Sequence, residues 1–202
     1  MGTNWWSFVL LAVAVAALLW QRAAYRRRLN SVEERLRDAL ARAIGGTGRD
    51  PLTGLESRSS LEQRLEEPCG PGIVAVLDLD DFRQLNELLG HLGGDEVLRA
   101  IGKFLLASIR QEDRAFRWGG DEFVLLFSDV EAEVARQRLA SIEERLHKFH
   151  IRNYGVVTIG LSWAIASTGS RPLRECLDQA DRAMFSFKRN RDQGSGRNAV
   201  PP

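Results

Sequence analysis

Two cysteines among 202 residues, Cys69 and Cys176, exclude a disulfide framework. Neither has a close partner at metal-ligand spacing, so both read as reduced packing residues of a cytoplasmic domain rather than as nucleophiles. Charge of one sign is not in excess either: 28 Lys and Arg against 27 Asp and Glu leave a net +1. That argues against nucleic acid as a partner, while local basic clusters could still hold phosphates. Internal repeats and low-complexity tracts are absent. What remains is 44% hydrophobic residues, enough for one core of ordinary size plus an extension.

Long apolar runs are scarce, and the exception lies at the start. Trp5 to Trp20 is almost wholly apolar, with tryptophans at both ends and Arg22, Arg26, Arg27 and Arg28 following. It is near the lower limit of the ~17 to 25 residues that span a bilayer. Residues 1–22 are therefore expected to form a single membrane helix, with the positive flank keeping the remainder in the cytoplasm at the inner membrane. A cleaved signal peptide is the rival, but no basic residue precedes the run. Leu29, Val32, Leu36, Ala39 and Ala43 then recur at spacings of three and four. This predicts a short parallel coiled coil within residues 23–45, and hence a homodimer; the alternative is a helix packed on its own domain. Gly45-Gly46-Thr47-Gly48 ends that helix and opens a domain over 46–192, followed by a tail over 193–202. No sensory domain is expected between the membrane helix and residue 50.

Within the domain the pattern predicts a helix through Leu61 and Leu65, a strand over 73–79, helices over 82–89 and 95–110, strands over 115–118 and 122–127, a helix over 130–148, a strand over 155–164, and a helix over 171–189. A hairpin between helices within a strand-first order suggests a ferredoxin-like α+β fold, with helices covering a mostly antiparallel sheet.

Two acidic sites stand out. Ile73 to Leu77 is a continuous apolar run ending in Asp78-Leu79-Asp80, the pattern of a buried strand that delivers a carboxylate to the sheet edge. Arg117-Trp118-Gly119-Gly120-Asp121-Glu122-Phe123 is the second. Its Gly-Gly pair predicts a tight hairpin with positive φ at both turn positions. Strand alternation would separate the carboxylates, with Asp121 on the face of Phe123 and Leu125 and Glu122 on that of Val124 and Leu126, so that only one meets a given metal ion. Between these sites, Phe82, Leu85 and Leu89 form an apolar helix face, while Arg83 and Asn86 share another. Gly90-His91-Leu92-Gly93-Gly94-Asp95 is expected to be a glycine-rich loop. Taken alone, Asp95 there would be a helix cap and His91 structural.

Together, Asp78-Leu79-Asp80-Asp81-Phe82-Arg83-Gln84-Leu85-Asn86, Gly90-His91, Gly94-Asp95 and Gly119-Gly120-Asp121-Glu122-Phe123 resemble the GGDEF family of diguanylate cyclases, a palm-type nucleotidyl cyclase fold. Asp50-Pro51-Leu52-Thr53-Gly54-Leu55, Arg58, and Ala180-Asp181-Arg182-Ala183-Met184-Phe185 with Lys188 match as well, so the resemblance covers about residues 50 to 190. It implies that two GTP molecules condense into cyclic di-GMP and pyrophosphate at the interface of a dimer. It implies Mg²⁺, or alternatively Mn²⁺, held by Asp78, the Leu79 carbonyl and Asp121. Asp121 would help deprotonate the attacking hydroxyl, with Glu122 in an electrostatic role. Asn86 and Asp95 would read guanine, His91 and Phe82 would line its pocket beside Gly119 and Gly120, and Arg83 and Lys188 would meet phosphates. Arg110-Gln111-Glu112-Asp113 matches the family's inhibitory site for cyclic di-GMP. The physics agrees: phosphoryl transfer needs charge positioned and balanced, and hard Mg²⁺ takes oxygen ligands.

The chain departs from the family at Ser57, where Asn is usual, and at Arg83, where Lys is. In Thr158-Ile159-Gly160-Leu161-Ser162-Trp163 the usual Ser and Gly positions are exchanged, and Trp163 is bulky. The late Gly196-Arg197-Asn198 leaves Arg191 and Arg197 both open as a second phosphate cation. A non-catalytic receptor for cyclic di-GMP or GTP is the rival function; a coiled-coil membrane adaptor is a third.

Overall fold

The computed structural model describes residues 48–193, with side chains through residue 189. The expected membrane helix, the coiled coil and the tail beyond residue 193, with Arg197, lie outside these residues. Among the described residues no helix is long and apolar enough to cross a membrane.

The order is α1 (Arg58–Glu62), β1 (Pro68–Asp80), α2 (Phe82–Ser108), β2 (Arg114–Arg117), β3 (Glu122–Ser128), α3 (Ala132–His147), β4 (Phe149–Ile151), β5 (Gly155–Val157), β6 (Gly160–Pro172) and α4 (Leu173–Gln193). Strands β2-β3-β1-β6 form one antiparallel sheet, and β4-β5 a separate hairpin. The main sheet is therefore the ferredoxin-like arrangement expected from the strand-helix order.

β1 is a continuous apolar run because helices cover both of its faces. Ile73, Ala75, Leu77 and Leu79 pack with residues of α2 and α3, including Val97, Ile101, Leu139 and Ile142. Val74 and Val76 face the other way and pack with Leu61, Leu65, Leu177 and Ala180 from the α1 and α4 side. Fully buried Phe116, Phe123 and Phe127 anchor the hairpin strands, each burial contributing about 1.5–3 kcal/mol.

Two features of the local pattern differ from expectation. The segment 91–95 is helical rather than a loop, and α2 breaks only at Gly90, whose φ of 73° and ψ of 165° suit glycine. The predicted strand over 155–164 is two strands in different sheets, because β5 turns away to pair with β4, a three-residue strand too short for an alternation signal. Ser57 caps α1, its hydroxyl accepting from the Ser60 amide at 3.3 Å, so it performs a cap function that Asn would also serve. Trp163 is accommodated by α3, its indole N–H donating to Glu143 Oε2 at 2.8 Å.

Candidate active site

The sheet brings the two acidic sites together by register. Asp78 near the end of β1 is paired directly with Glu122 at the start of β3, and both lie on the face of Val76 and Val124, toward α4. From α4, the Lys188 ammonium makes an ion pair with Asp78 Oδ1. Asp121 precedes β3, so strand alternation does not govern it; its carbonyl accepts from the Leu79 amide at 3.2 Å. Alternation therefore does not fix which face Asp121 takes, while the Asp78 charge acts on both carboxylates. Burial, then Asp78, raises the Asp121 carboxyl above its ordinary pKa, with Lys188 and Arg117 opposing. Burial also raises Glu122, followed by the charges of Asp78, Asp121 and Asp181. Asp181 is raised by burial and by Asp178. The result is a half-buried concentration of negative charge.

The Gly-Gly turn does not use positive φ, contrary to expectation: neither Gly119 nor Gly120 is in the left-handed region. Only Gly119 is pressed for space. A Cβ at Gly119 would lie 2.5 Å from Glu122 Oε2. The turn is held instead by Arg117. Its Nε donates to the Gly119 carbonyl at 3.1 Å, its Nη2 to the Gly120 carbonyl at 2.8 Å, and its Nη1 to Asp50 Oδ1 and Oδ2 at 3.2 and 3.3 Å. Asp50 is itself fixed by the Thr53 amide at 2.8 Å and hydroxyl at 2.6 Å. Arg58 lies over the Trp118 ring at 4.5 Å from its centroid.

α2 leaves the carboxylate end of β1, which carries Phe82, Arg83 and Asn86 immediately beyond it. A cavity of about 340 Å³ opens at this junction, lined by Leu79, Asp80, Asp81, Phe82, Leu85 and Leu88 among others. Phe82 is buried, Asn86 and Asp95 are half-buried, and His91 is exposed. Asn86 lies against the bare backbone of Gly94, where a Cβ would sit 1.8 Å from its Oδ1. Arg83 is exposed and pairs with Glu87 at 3.6 Å. The structure thus couples Asp78, Asp121, Glu122 and Lys188 electrostatically, and sets Asn86 against Gly94 within α2; Arg83 makes its ion pair along its own helix.

At the other end of the hairpin, Asp113 is wholly buried in its side chain. It accepts from the Arg110 amide at 3.0 Å, the Ser128 amide at 3.0 Å and Arg138 Nη1 at 3.3 Å. Arg110 is exposed, with Glu112 at 3.9 Å.

Sequence reasoning missed the Arg117 bracket, although Arg117 stood beside the Gly-Gly pair and Asp50 in the opening turn. Sixty-seven residues separate the partners, and no local spacing links them. It also missed the bond from Ser162 to Asp80.

All the acidic groups at the β1–β3 edge offer hard oxygens, and burial together with mutual repulsion raises Asp121 and Glu122, which suits a divalent cation. Among the described residues no group of three or more His, Cys, Asp or Glu is arranged to hold a metal by side chains alone. The set therefore fits an ion that completes its shell with water and substrate phosphates, as Mg²⁺ does, rather than a closed protein cage.

Residues 47–194 match the family described as diguanylate cyclase, GGDEF domain. The diguanylate cyclase DgcP of Pseudomonas aeruginosa is 32% identical over 182 residues, covering 82% of this chain and 26% of DgcP. DgcS of Shewanella oneidensis, also a diguanylate cyclase, is 35% identical over 158 residues, covering 74% of this chain and 50% of DgcS. The chain thus spans between a quarter and half the length of these relatives. Among solved structures, the diguanylate cyclase SiaD of Pseudomonas aeruginosa with its activator SiaC superposes with a TM-score of 0.65 at 26% identity, covering 91% of this chain and 74% of that one. The coiled coil and GGDEF domain of DgcB from Caulobacter crescentus, in complex with c-di-GMP, gives a TM-score of 0.62 at 26% identity, covering 88% and 95%. With the carboxylate edge, the hairpin and the family match over most of its length in agreement, this chain belongs to the diguanylate cyclase GGDEF-domain family.

Proposed function

We propose that the chain is a diguanylate cyclase, condensing two GTP into cyclic di-GMP and two pyrophosphates. The observation that carries this reading is the register pairing of Asp78 with Glu122, beside Asp121 and against Lys188. Asp78, Asp121 and the Leu79 carbonyl would hold Mg²⁺, which when bound neutralises developing phosphate charge. Asn86 and Asp95 present an amide and a carboxylate to the acceptor and donor edge of guanine. Phe82 and His91 flank that pocket, Gly119 and Gly120 let the nucleotide approach the turn, and Arg83 and Lys188 meet the phosphates. In the reaction the 3′-oxygen of one GTP bonds to the α-phosphorus of the other, the bond from that phosphorus to the bridging oxygen breaks, and pyrophosphate leaves with its electron pair. Asp121 accepts the hydroxyl proton. Glu122 contributes electrostatically.

Each copy presents one such site, and two nucleotides must meet, so the active species is a homodimer. The 23–45 segment would pair the copies, and residues 1–22 would anchor them in the inner membrane with this domain in the cytoplasm. The apolar run and its arginine flank support the anchoring, and the solved coiled coil and GGDEF domain of DgcB supports a coiled coil ahead of the domain. Product feedback would act through Arg110 and Asp113, with Arg110 as the mobile arm because Asp113 already accepts from three donors.

The test is incubation of the full chain with GTP and Mg²⁺ while product is scavenged. Cyclic di-GMP should form and should vanish in Asp121→Asn; a dimeric, folded wild type that makes none would leave the receptor reading in its place.

A further inference from the structure

The exchanged glycine and serine of β6 form a device aimed at the same carboxylates. Asp78 is paired with Ser162 and Asp80 with Gly160 across β1 and β6. All four positions share one face of the sheet, so Ser162 stands between two carboxylates two residues apart. It is almost wholly buried, and its hydroxyl is tied to one of them, donating to Asp80 Oδ1 at 2.7 Å. Gly160 completes the arrangement by leaving room. A Cβ there would lie 2.8 Å from Asp80 Cβ and 3.0 Å from its Oδ2. Serine at 162 and glycine at 160 are therefore complementary: one grips Asp80, the other makes the space in which it is gripped. Asp78, by contrast, is left to Lys188, an ammonium on a flexible stem that can pass to a phosphate.

We propose that Ser162 is a positioning residue that sorts these carboxylates, holding Asp80 aside so that Asp78 and Asp121 serve the divalent cation. The inference rests on the metal reading of Asp78 given above. Without the hydroxyl, Asp80 loses this donor and competes with Asp78 for the cation and for Lys188. Residues that orient the groups around a metal without touching it commonly change its affinity by about 10- to 100-fold.

The experiment titrates Mn²⁺ into the full chain with 3′-deoxy-GTP, which cannot condense, and follows free Mn²⁺ by its electron paramagnetic resonance signal. Ser162→Ala should raise the half-saturating Mn²⁺ concentration about tenfold. The double variant Asp80→Asn with Ser162→Ala should return it to within about twofold of wild type, because a neutral amide no longer competes. Gly160→Ala serves if Ser162→Ala does not fold: it keeps the hydroxyl but presses on Asp80, and should weaken Mn²⁺ in the same direction. Wild-type Mn²⁺ affinity in Ser162→Ala, with only the melting temperature lowered, overturns the proposal, as does a double variant that retains the single variant's defect. If Asp121→Asn also binds Mn²⁺ as wild type does, the metal reading fails with it; if Asp121→Asn abolishes binding and Ser162 has no effect, the sorting role alone fails.

Discussion

Asp113 offers the sharpest separation of a structural from a regulatory role. Its side chain is fully buried, and both carboxylate oxygens are used: Oδ1 by the Ser128 amide, Oδ2 by the Arg110 amide and Arg138. Asp113→Ala removes a charged acceptor, leaves two backbone N–H groups without it, and strips Arg138 of its carboxylate. Hydrogen bonds to charged groups contribute about 1.5–3 kcal/mol each, but a shared network is not additive. Removing one member of a buried ion pair costs about 3–5 kcal/mol. Because Arg138 keeps 19% exposure and can find water, the lower end applies, about 3–4 kcal/mol. For a domain of this size that lowers the melting temperature by about 6–16 °C. Arg110→Ala should change it little, since the Arg110 side chain is 59% exposed and its contact with Glu112 is 3.9 Å long. Thermal unfolding of the two variants, followed by circular dichroism, makes the comparison. An Asp113→Ala protein that melts within a degree of wild type would refute the reasoning. The consequence for feedback is direct: loss of product inhibition in Asp113→Ala reports a damaged hairpin, whereas its loss in Arg110→Ala reports a ligand contact.

Glu122→Gln should stabilise the fold near pH 7.5 by about 0.2–1 kcal/mol, the cost of like charges directly opposed across strands. Because the folded-state pKa of Glu122 is raised, the penalty on wild type grows as pH rises through that value; the advantage of Gln should fade below about pH 4, where Glu is protonated folded or unfolded, and a pH-independent gain would contradict it. Arg117→Ala should lower cyclic di-GMP synthesis by about 10²-fold through a displaced turn, and Arg117→Lys should not restore it, because one ammonium cannot reach two carbonyls and a carboxylate. Gly94→Ala should push Asn86 aside, raising KM for GTP by about three- to tenfold and eroding preference for GTP over ATP in competition kinetics; unchanged discrimination would remove Asn86 from guanine recognition.

The sheet was legible because β1 and β3 each contain a short, strongly apolar run bounded by turn and helix signals, and because an order of strand, helix, hairpin, helix, strand admits few topologies. β4 was not, since Phe149-His150-Ile151 follows a helix whose apolar period continues through Leu146, and three residues cannot declare a new one. The 91–95 segment was misread for a related reason. Gly93 and Gly94 signal a loop by composition, yet they sit in helix, and they are glycine because Leu89 and Tyr154 at the first and Asn86 at the second occupy the space a side chain would take. Asp78, Asp121 and Asn86 could be singled out individually, but not the direct opposition of Asp78 and Glu122. That follows from the β1–β3 register, which the hairpin sequence does not specify.

The glycines around the site share one logic, and it is not the one their pairing suggests. At Gly94, Gly119 and Gly160 a Cβ would strike Asn86 Oδ1, Glu122 Oε2 and Asp80 respectively, each within 3 Å. None of the three is in the left-handed region; their common property is that a polar side chain lies where their own would be. Gly120, with nothing within 4 Å, stands apart and contributes its carbonyl to Arg117 instead. A site that crowds carboxylates against one another at a sheet edge cannot also enclose them with side chains, since burial already raises Asp121 and Glu122. Bare backbone lets the acidic and amide groups lie close to the chain while one edge stays open. The cations that balance them are Arg117, in the hairpin itself but braced by Asp50 sixty-seven residues away, and Lys188, which arrives from α4. Spatial restraint comes from the missing side chains, and electrostatic restraint from partners that local sequence does not reveal.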